Sequence, residues 1–114
     1  MSYECGEIVV VPFPFADRSA SKRRPALVLS SRRWFNEPCG HSVMAMITSQ
    51  RDGKTAWPLD MPIKSPATTG LTVPSLVRFK LFTLDHRLVV RKLGYLSGDD
   101  GSELDRILHK WLFR

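Results

Sequence analysis

Cysteine is scarce in this chain: only Cys5 and Cys39 occur, with no CxxC and no second pair. Neither a disulfide scaffold nor a zinc site is supported, and a reducing cytoplasm is the expected location. Long apolar runs are missing as well. The longest, residues 8–15, falls far below the ~18 residues of a membrane-spanning helix, and the first six residues carry Glu4 where an export signal would be basic. Export and membrane insertion are therefore not expected. There is no Walker loop, GxGxxG, HExxH, HxH or GxSxG, and His41, His86 and His109 stand apart from one another. No metal and no cofactor is expected. Asp99, Asp100 and Glu103 lack the alternation of a calcium loop, and acids just ahead of a helix are explained by its dipole. Negative charge is in the minority: 11 Asp+Glu face 17 Lys+Arg, a net charge of +6. An excess of that sign attracts polyanions or acidic partners.

What is present suits one globular domain, residues 1–114. The length of 114 residues is too short for two ordinary domains, and a content of 43% hydrophobic and 25% charged residues lies near the globular average. Residues 8–15 are a continuous β-branched and aromatic run, which predicts a strand buried on both faces, its two prolines pushing the far end to a sheet edge. Residues 16–24 form a polar loop, after which Pro25 opens a second strand over 26–29. Residues 30–40 allow a short helical turn, and 43–47 a third strand. Alternation of Trp57, Leu59, Met61 and Ile63 with polar and proline residues predicts a half-exposed edge strand. Further strands are expected at 76–79 and 88–90. Only the C-terminus has helical spacing, through Leu104, Ile107, Leu108, Trp111 and Leu112, with Ser97 and Ser102 as alternative caps. Five or six short strands closed by one helix indicate a mainly β protein, a small β-barrel with a C-terminal α-helix.

Three constellations carry potential chemistry. The first is the basic cluster Arg18, Lys22, Arg23, Arg24, Arg32 and Arg33, with Asp17 as its one local counterion. A solvated loop would carry the same charges, but Pro25 anchors Arg24 on rigid scaffold while Lys22 and Arg23 remain able to sweep. That division suits phosphate, which guanidinium grips in planar, bidentate fashion. The second is Thr48-Ser49, two hydroxyls at a strand exit, where Ser and Thr also commonly just satisfy a turn. The third is Arg78, inside the apolar run Leu76-Val77-Arg78-Phe79, where a charge needs a partner, an anion or exposure.

These residues fall within longer strings: Gly6-Glu7-Ile8-Val9-Val10-Val11-Pro12-Phe13-Pro14-Phe15, then Lys22-Arg23-Arg24-Pro25-Ala26-Leu27-Val28-Leu29-Ser30, Ile47-Thr48-Ser49-Gln50, and Pro74-Ser75-Leu76-Val77-Arg78-Phe79-Lys80-Leu81-Phe82-Thr83-Leu84-Asp85. In order and spacing they resemble the MazF/PemK family of type II toxin-antitoxin endoribonuclease toxins, along nearly the whole chain. The resemblance implies an SH3-like barrel forming a homodimer. It further implies an enzyme that cleaves single-stranded RNA without metal or cofactor and is neutralised by an acidic antitoxin protein. Carried over, the Arg before the strand-opening Pro is Arg24, the catalytic Thr is Thr48, and Arg78 matches an active-site Arg of some members. Arg18, Lys22, Arg23, Ser49, Gln50 and Lys80 are then the expected RNA contacts. Some PemK-like members have a His and an acid where this chain has Arg18 and Ser19, and an Asp where it has Lys80, so the family's general base does not transfer.

Cleavage of this kind uses the RNA 2′-OH as nucleophile, leaving 2′,3′-cyclic phosphate and 5′-OH ends. The enzyme must align that hydroxyl, disperse charge on the pentacoordinate phosphorus and move protons. Arginine, with a pKa above about 12, suits the electrostatic task first and proton donation second. Two other readings share the fold: a non-catalytic nucleic-acid-binding barrel, and a CcdB-like toxin aimed at a protein, for which Trp111-Leu112-Phe113 is the feature to test.

Overall fold

The computed structural model describes residues 2–13, 22–50 and 56–113. Six strands form one antiparallel sheet in the order β4-β5-β3-β2-β1-β6, comprising β1 Glu7–Phe13, β2 Lys22–Val28, β3 His41–Ser49, β4 Met61–Pro62, β5 Ser75–Asp85 and β6 Arg91–Tyr95. The sheet curls into a half-barrel. A π-helical turn, Arg32–Asn36, runs into the short α1, Glu37–Cys39, and the chain ends in α2, Gly98–Leu112. This is the mainly β architecture with a C-terminal helix that the sequence predicts.

The run at the start of β1 has no polar alternation because both faces of the sheet are covered there. Ile8 belongs to a core with Leu27, Ala45, Ile47, Val77 and Phe79, closed from outside by Leu104 and Ile107 of α2. Val9 and Val11 belong to the opposite core with Ala26, Val28, Met44, Phe82 and Leu84, covered by the fully buried Tyr3. Of the two possible caps, Ser97 is the one that precedes α2. The start of the helix is tied down by Asp100, a buried carboxylate that accepts the backbone N–H groups of Lys64 (3.2 Å) and Ser65 (3.0 Å).

Several expected boundaries move, each for a non-local reason. β2 starts at Lys22, so Lys22 and Arg23 are not sweeping loop residues but ladder partners of Phe13 and Pro12. Arg18 and the rest of the expected loop up to Ser21 lie outside the described residues. The alternating segment from Trp57 shrinks to the two-residue β4, because Trp57 to Asp60 closes a turn through Asp60 N–H to Trp57 O (3.2 Å), with Leu59 at φ +65°. The strand expected at 88–90 is displaced: Asp85 accepts the Arg87 N–H (2.8 Å) and starts a 3₁₀ turn, His86–Leu88, so that β6 follows later. Finally, β5 slips against β3. Leu81 stands opposite Ala45 and Arg78 opposite Met46, leaving Phe79 and Lys80 in a bulge.

The two sheet edges, β4 and β6, are bridged by packing rather than by a ladder. The segment after β4 passes over β6, where Thr68 Oγ1 donates to Tyr95 O (2.8 Å). Two glycines permit this approach. A Cβ on Gly94 would collide with the Thr68 carbonyl oxygen, and one on Gly70, at φ +75°, would lie 2.5 Å from Leu93 O. We expect Gly94→Ala to lower unfolding stability by at least about 1–3 kcal/mol, since both obstacles are backbone. Denaturant unfolding checks this, and an unchanged midpoint would show that the edges are not clamped here.

Candidate functional site

β2 and β3 pair Ala26 with Met46 and Leu27 with Ala45. The ladder ends at Ala26 and Met46, and its register extended two residues further puts Arg24 level with Thr48, both of which line one cleft. On its other side β3 pairs Thr48 with Leu76 and Met46 with Arg78. Because directly opposed residues share a face and alternate residues return to it, Arg24, Thr48 and Arg78 project from the same side of the sheet. Arg78 is the diagonal neighbour of Thr48, a separation of about 7–8 Å in antiparallel sheets.

Arg24 and Thr48 stand at the lip of a cleft of about 460 Å3, where β2 begins and β3 ends. Its polar lining is made of arginines and hydroxyls: Arg24 and Arg91 with Thr48, Ser49, Thr72 and Ser75. Among the described residues, none of the lining is acidic. Arg24 itself is half-buried, and its Nε is a buried donor with no hydrogen-bond partner. Leaving such a donor unsatisfied costs about 1–3 kcal/mol, more for a charged group, so the site is poised to accept an anion. A larger cleft, about 850 Å3, lies at the opposite end of β3 and is lined by Glu37, His41, Asp85 and Arg87 among others. There Arg87 is already neutralised by Asp85 (2.7 Å), so size does not identify the anion site.

The other expected site residues are distributed around this lip. Ser49 lines the cleft, and Gln50 is pinned beside it, its N–H donating to Pro74 O (3.0 Å) and its Nε2 to Ser75 O (2.9 Å). Lys22 and Arg23 are exposed along the β1–β2 ladder, and Lys80 is exposed in the β5 bulge, outside the cleft lining. Arg78 is buried, and its charge is met by Asp60: Nε donates to Oδ1 (3.2 Å) and Nη2 to Oδ2 (2.9 Å). The Trp57 ring lies 5.4 Å from the guanidinium carbon. Burial pushes the Asp60 carboxyl up, but hydrogen bonds from Arg78 and the Trp57 N–H outweigh it and hold the group below its ordinary value. The same pairing raises Arg78 against the opposing effect of burial.

Arg91, Thr72 and Ser75 were not among the expected site residues. Arg91 follows the apolar Leu88-Val89-Val90, which reads as the strand itself, so its place on β6 opposite Val10 is visible only once that register is known. Among the described residues, no group of three or more His, Cys, Asp or Glu is placed to hold a metal ion, and no helix is long and apolar enough to cross a membrane.

The molecule is thus a small, curled β-sheet whose cleft at one end is lined, among the described residues, by arginines and hydroxyls with no acid. The chain belongs to the PemK-like, MazF-like toxins of type II toxin-antitoxin systems, whose family model matches residues 4–112. Among solved structures it is similar to a MazE–MazF structure from Deinococcus radiodurans, at 25% identity, covering 98% of this chain and 96% of that one with a TM-score of 0.70. MazF from the same organism matches at 23% identity and TM-score 0.72, covering 100% and 99% of the two chains. A mycobacterial endoribonuclease in complex with its cognate antitoxin matches at 14% identity and TM-score 0.73, covering 98% and 94%. The last two show a common fold. No curated protein matches by sequence.

Proposed function

We propose that this toxin is an endoribonuclease that cleaves single-stranded RNA, mRNA included, in the cytoplasm, by attack of the 2′-OH on the adjacent phosphate. The observation that carries the reading is Arg24 and Thr48 together in the lining of a cleft with no acid among its described residues, with a buried Arg24 Nε lacking an acceptor. In this reading the Arg24 guanidinium holds the phosphoryl oxygens and stabilises the charge that grows on them, and the Thr48 hydroxyl donates a further hydrogen bond. Arg78, fixed by Asp60 on the same face, orders the rear of the site. Lys22, Arg23, Ser49, Gln50 and Lys80, with Arg18, serve the flanking RNA. Arginines provide the charge stabilisation, so the reaction proceeds without metal.

The partners follow the same chemistry. A basic body of this kind suits a disordered acidic antitoxin that folds on binding and occupies the phosphate sites with carboxylates, which agrees with the MazE–MazF and antitoxin complexes among the similar structures. Trp34, Leu112 and Phe113 are 76%, 57% and 69% exposed, apolar surface that supports a homodimer. Incubating the purified protein with end-labelled single-stranded RNA in EDTA tests the activity. The expected products end in 2′,3′-cyclic phosphate and 5′-OH. Intact RNA, or cleavage only on adding a divalent metal, would overturn the reading.

A further inference from the structure

Of the two arginines lining the cleft, the reading above uses only Arg24. Arg91 is exposed on β6 and, among the described residues, has no ion-pair partner. It stands opposite Val10 of β1, and Val10 stands opposite Pro25 of β2, so Arg91 and Pro25 flank one residue in a single row across three strands. The outer two strands of such a row are about 10 Å apart. Arg24, next to Pro25, alternates to the other face of the sheet and meets the cleft at its lip, whereas Arg91 shares the Val10 and Pro25 face, with Ser49, Thr72 and Ser75 also in the lining. Ser75 is occupied internally, its Oγ donating to Val73 O (2.8 Å), whereas Thr72 is exposed. The Leu71, Val73 and Leu93 side of the cleft is apolar.

We infer that Arg91, with Thr72 and Ser49, forms a second phosphate subsite in this cleft, which holds the phosphate next to the one gripped by Arg24 on the same single-stranded RNA. The inference rests on the proposed RNA-cleaving function and deepens it. One guanidinium at the lip and a second inside the cleft, on strands about 10 Å apart, hold consecutive phosphates of a strand that crosses the lip, while the apolar side receives the sugar between them. Contacts to phosphate fix register without reading sequence, so this subsite sets affinity and alignment rather than the cleavage motif.

The test compares wild type, Arg91→Gln and Arg91→Lys in two assays. In the first, each protein binds a short 2′-O-methyl RNA of mixed sequence, whose nucleophile is blocked, over a range of salt concentrations. Arg91→Gln should bind roughly tenfold more weakly and flatten the log K against log salt slope by about 0.7, the value for one phosphate contact on a single strand. Arg91→Lys should keep the slope. In the second assay the same sequence as ordinary RNA is cleaved. Arg91→Gln should raise KM roughly tenfold, leave the set of cleavage sites unchanged, and change kcat by less than about twofold, as expected for uniform binding. An unchanged affinity and slope would overturn the inference, as would a loss confined to kcat. If wild type binds RNA without cutting it, the nuclease reading fails while the binding assay still decides the subsite. A wild type that does not bind RNA overturns both.

Discussion

Arg24→Ala is expected to slow RNA cleavage roughly a hundred- to a thousandfold, and Thr48→Ala comparably, with the fold intact in both. The size of the effect follows from where the charge develops. In the ground state the phosphodiester already carries one negative charge, which water solvates well. In the pentacoordinate transition state a second charge builds on oxygens that water at the cleft lip reaches poorly, and a guanidinium fixed by Pro25 meets it without reorganising. Stability should change little, because the half-buried Arg24 leaves its Nε unpaired in the folded protein and its removal relieves an unsatisfied donor. The measurement is single-turnover cleavage of labelled RNA beside a circular dichroism melt. Full activity in a folded Arg24→Ala protein would remove the assignment. The double variant should be little worse than either single one, since both groups act on the same phosphoryl oxygens.

The residues that carry this prediction illustrate what a sequence makes legible. Arg24 stood out because Pro25 restricts the residue before it and the apolar part of β2 follows, a local signal, although the strand itself starts earlier, at Lys22. Thr48 was locatable because the apolar run of β3 ends there. The doubly buried β1 and the amphipathic α2 were legible for the same reason, since their patterns sit within one element. Everything that depended on a second segment was not legible. That Arg24 and Thr48 meet in one cleft is a matter of how β2 lies against β3. The bulge at Phe79 and Lys80 turns Phe79 into the core beneath α2 and leaves Lys80 exposed, and no residue type there announces it. Gly94 and Gly70 look like ordinary turn residues until the chain after β4 is seen to cross β6. Arg78 plainly needed a partner or an anion, but Asp60 is eighteen residues away and looked like one polar position in an alternating strand. The alternation there reflects a turn whose Leu59 takes a left-handed backbone, and that turn is what aims the carboxylate at the guanidinium.

That pairing yields the second large expected effect. Asp60→Asn should destabilise the protein by about 3 kcal/mol at neutral pH, because it removes the carboxylate that holds the buried Arg78 guanidinium through two hydrogen bonds. The two side chains are each only 11% exposed, so water cannot replace the lost carboxylate. The direction of the pH dependence follows from the Asp60 carboxyl being held below its ordinary value. A carboxyl depressed by folding stabilises the native state fully above its unfolded pKa, about 3.9, and loses that contribution as the pH falls through the lower native value. The gap between wild type and Asp60→Asn should therefore be constant from neutral pH down to about 5 and close progressively below about 4. Replacing both partners, as Asp60→Leu with Arg78→Met, should recover most of the loss, since a well-packed apolar pair carries no desolvation penalty. Urea unfolding of the three proteins at several pH values measures all of this. A single-variant loss below about 1 kcal/mol, or a gap that widens in acid, would show that the Asp60 carboxylate is not what holds Arg78 in the folded protein.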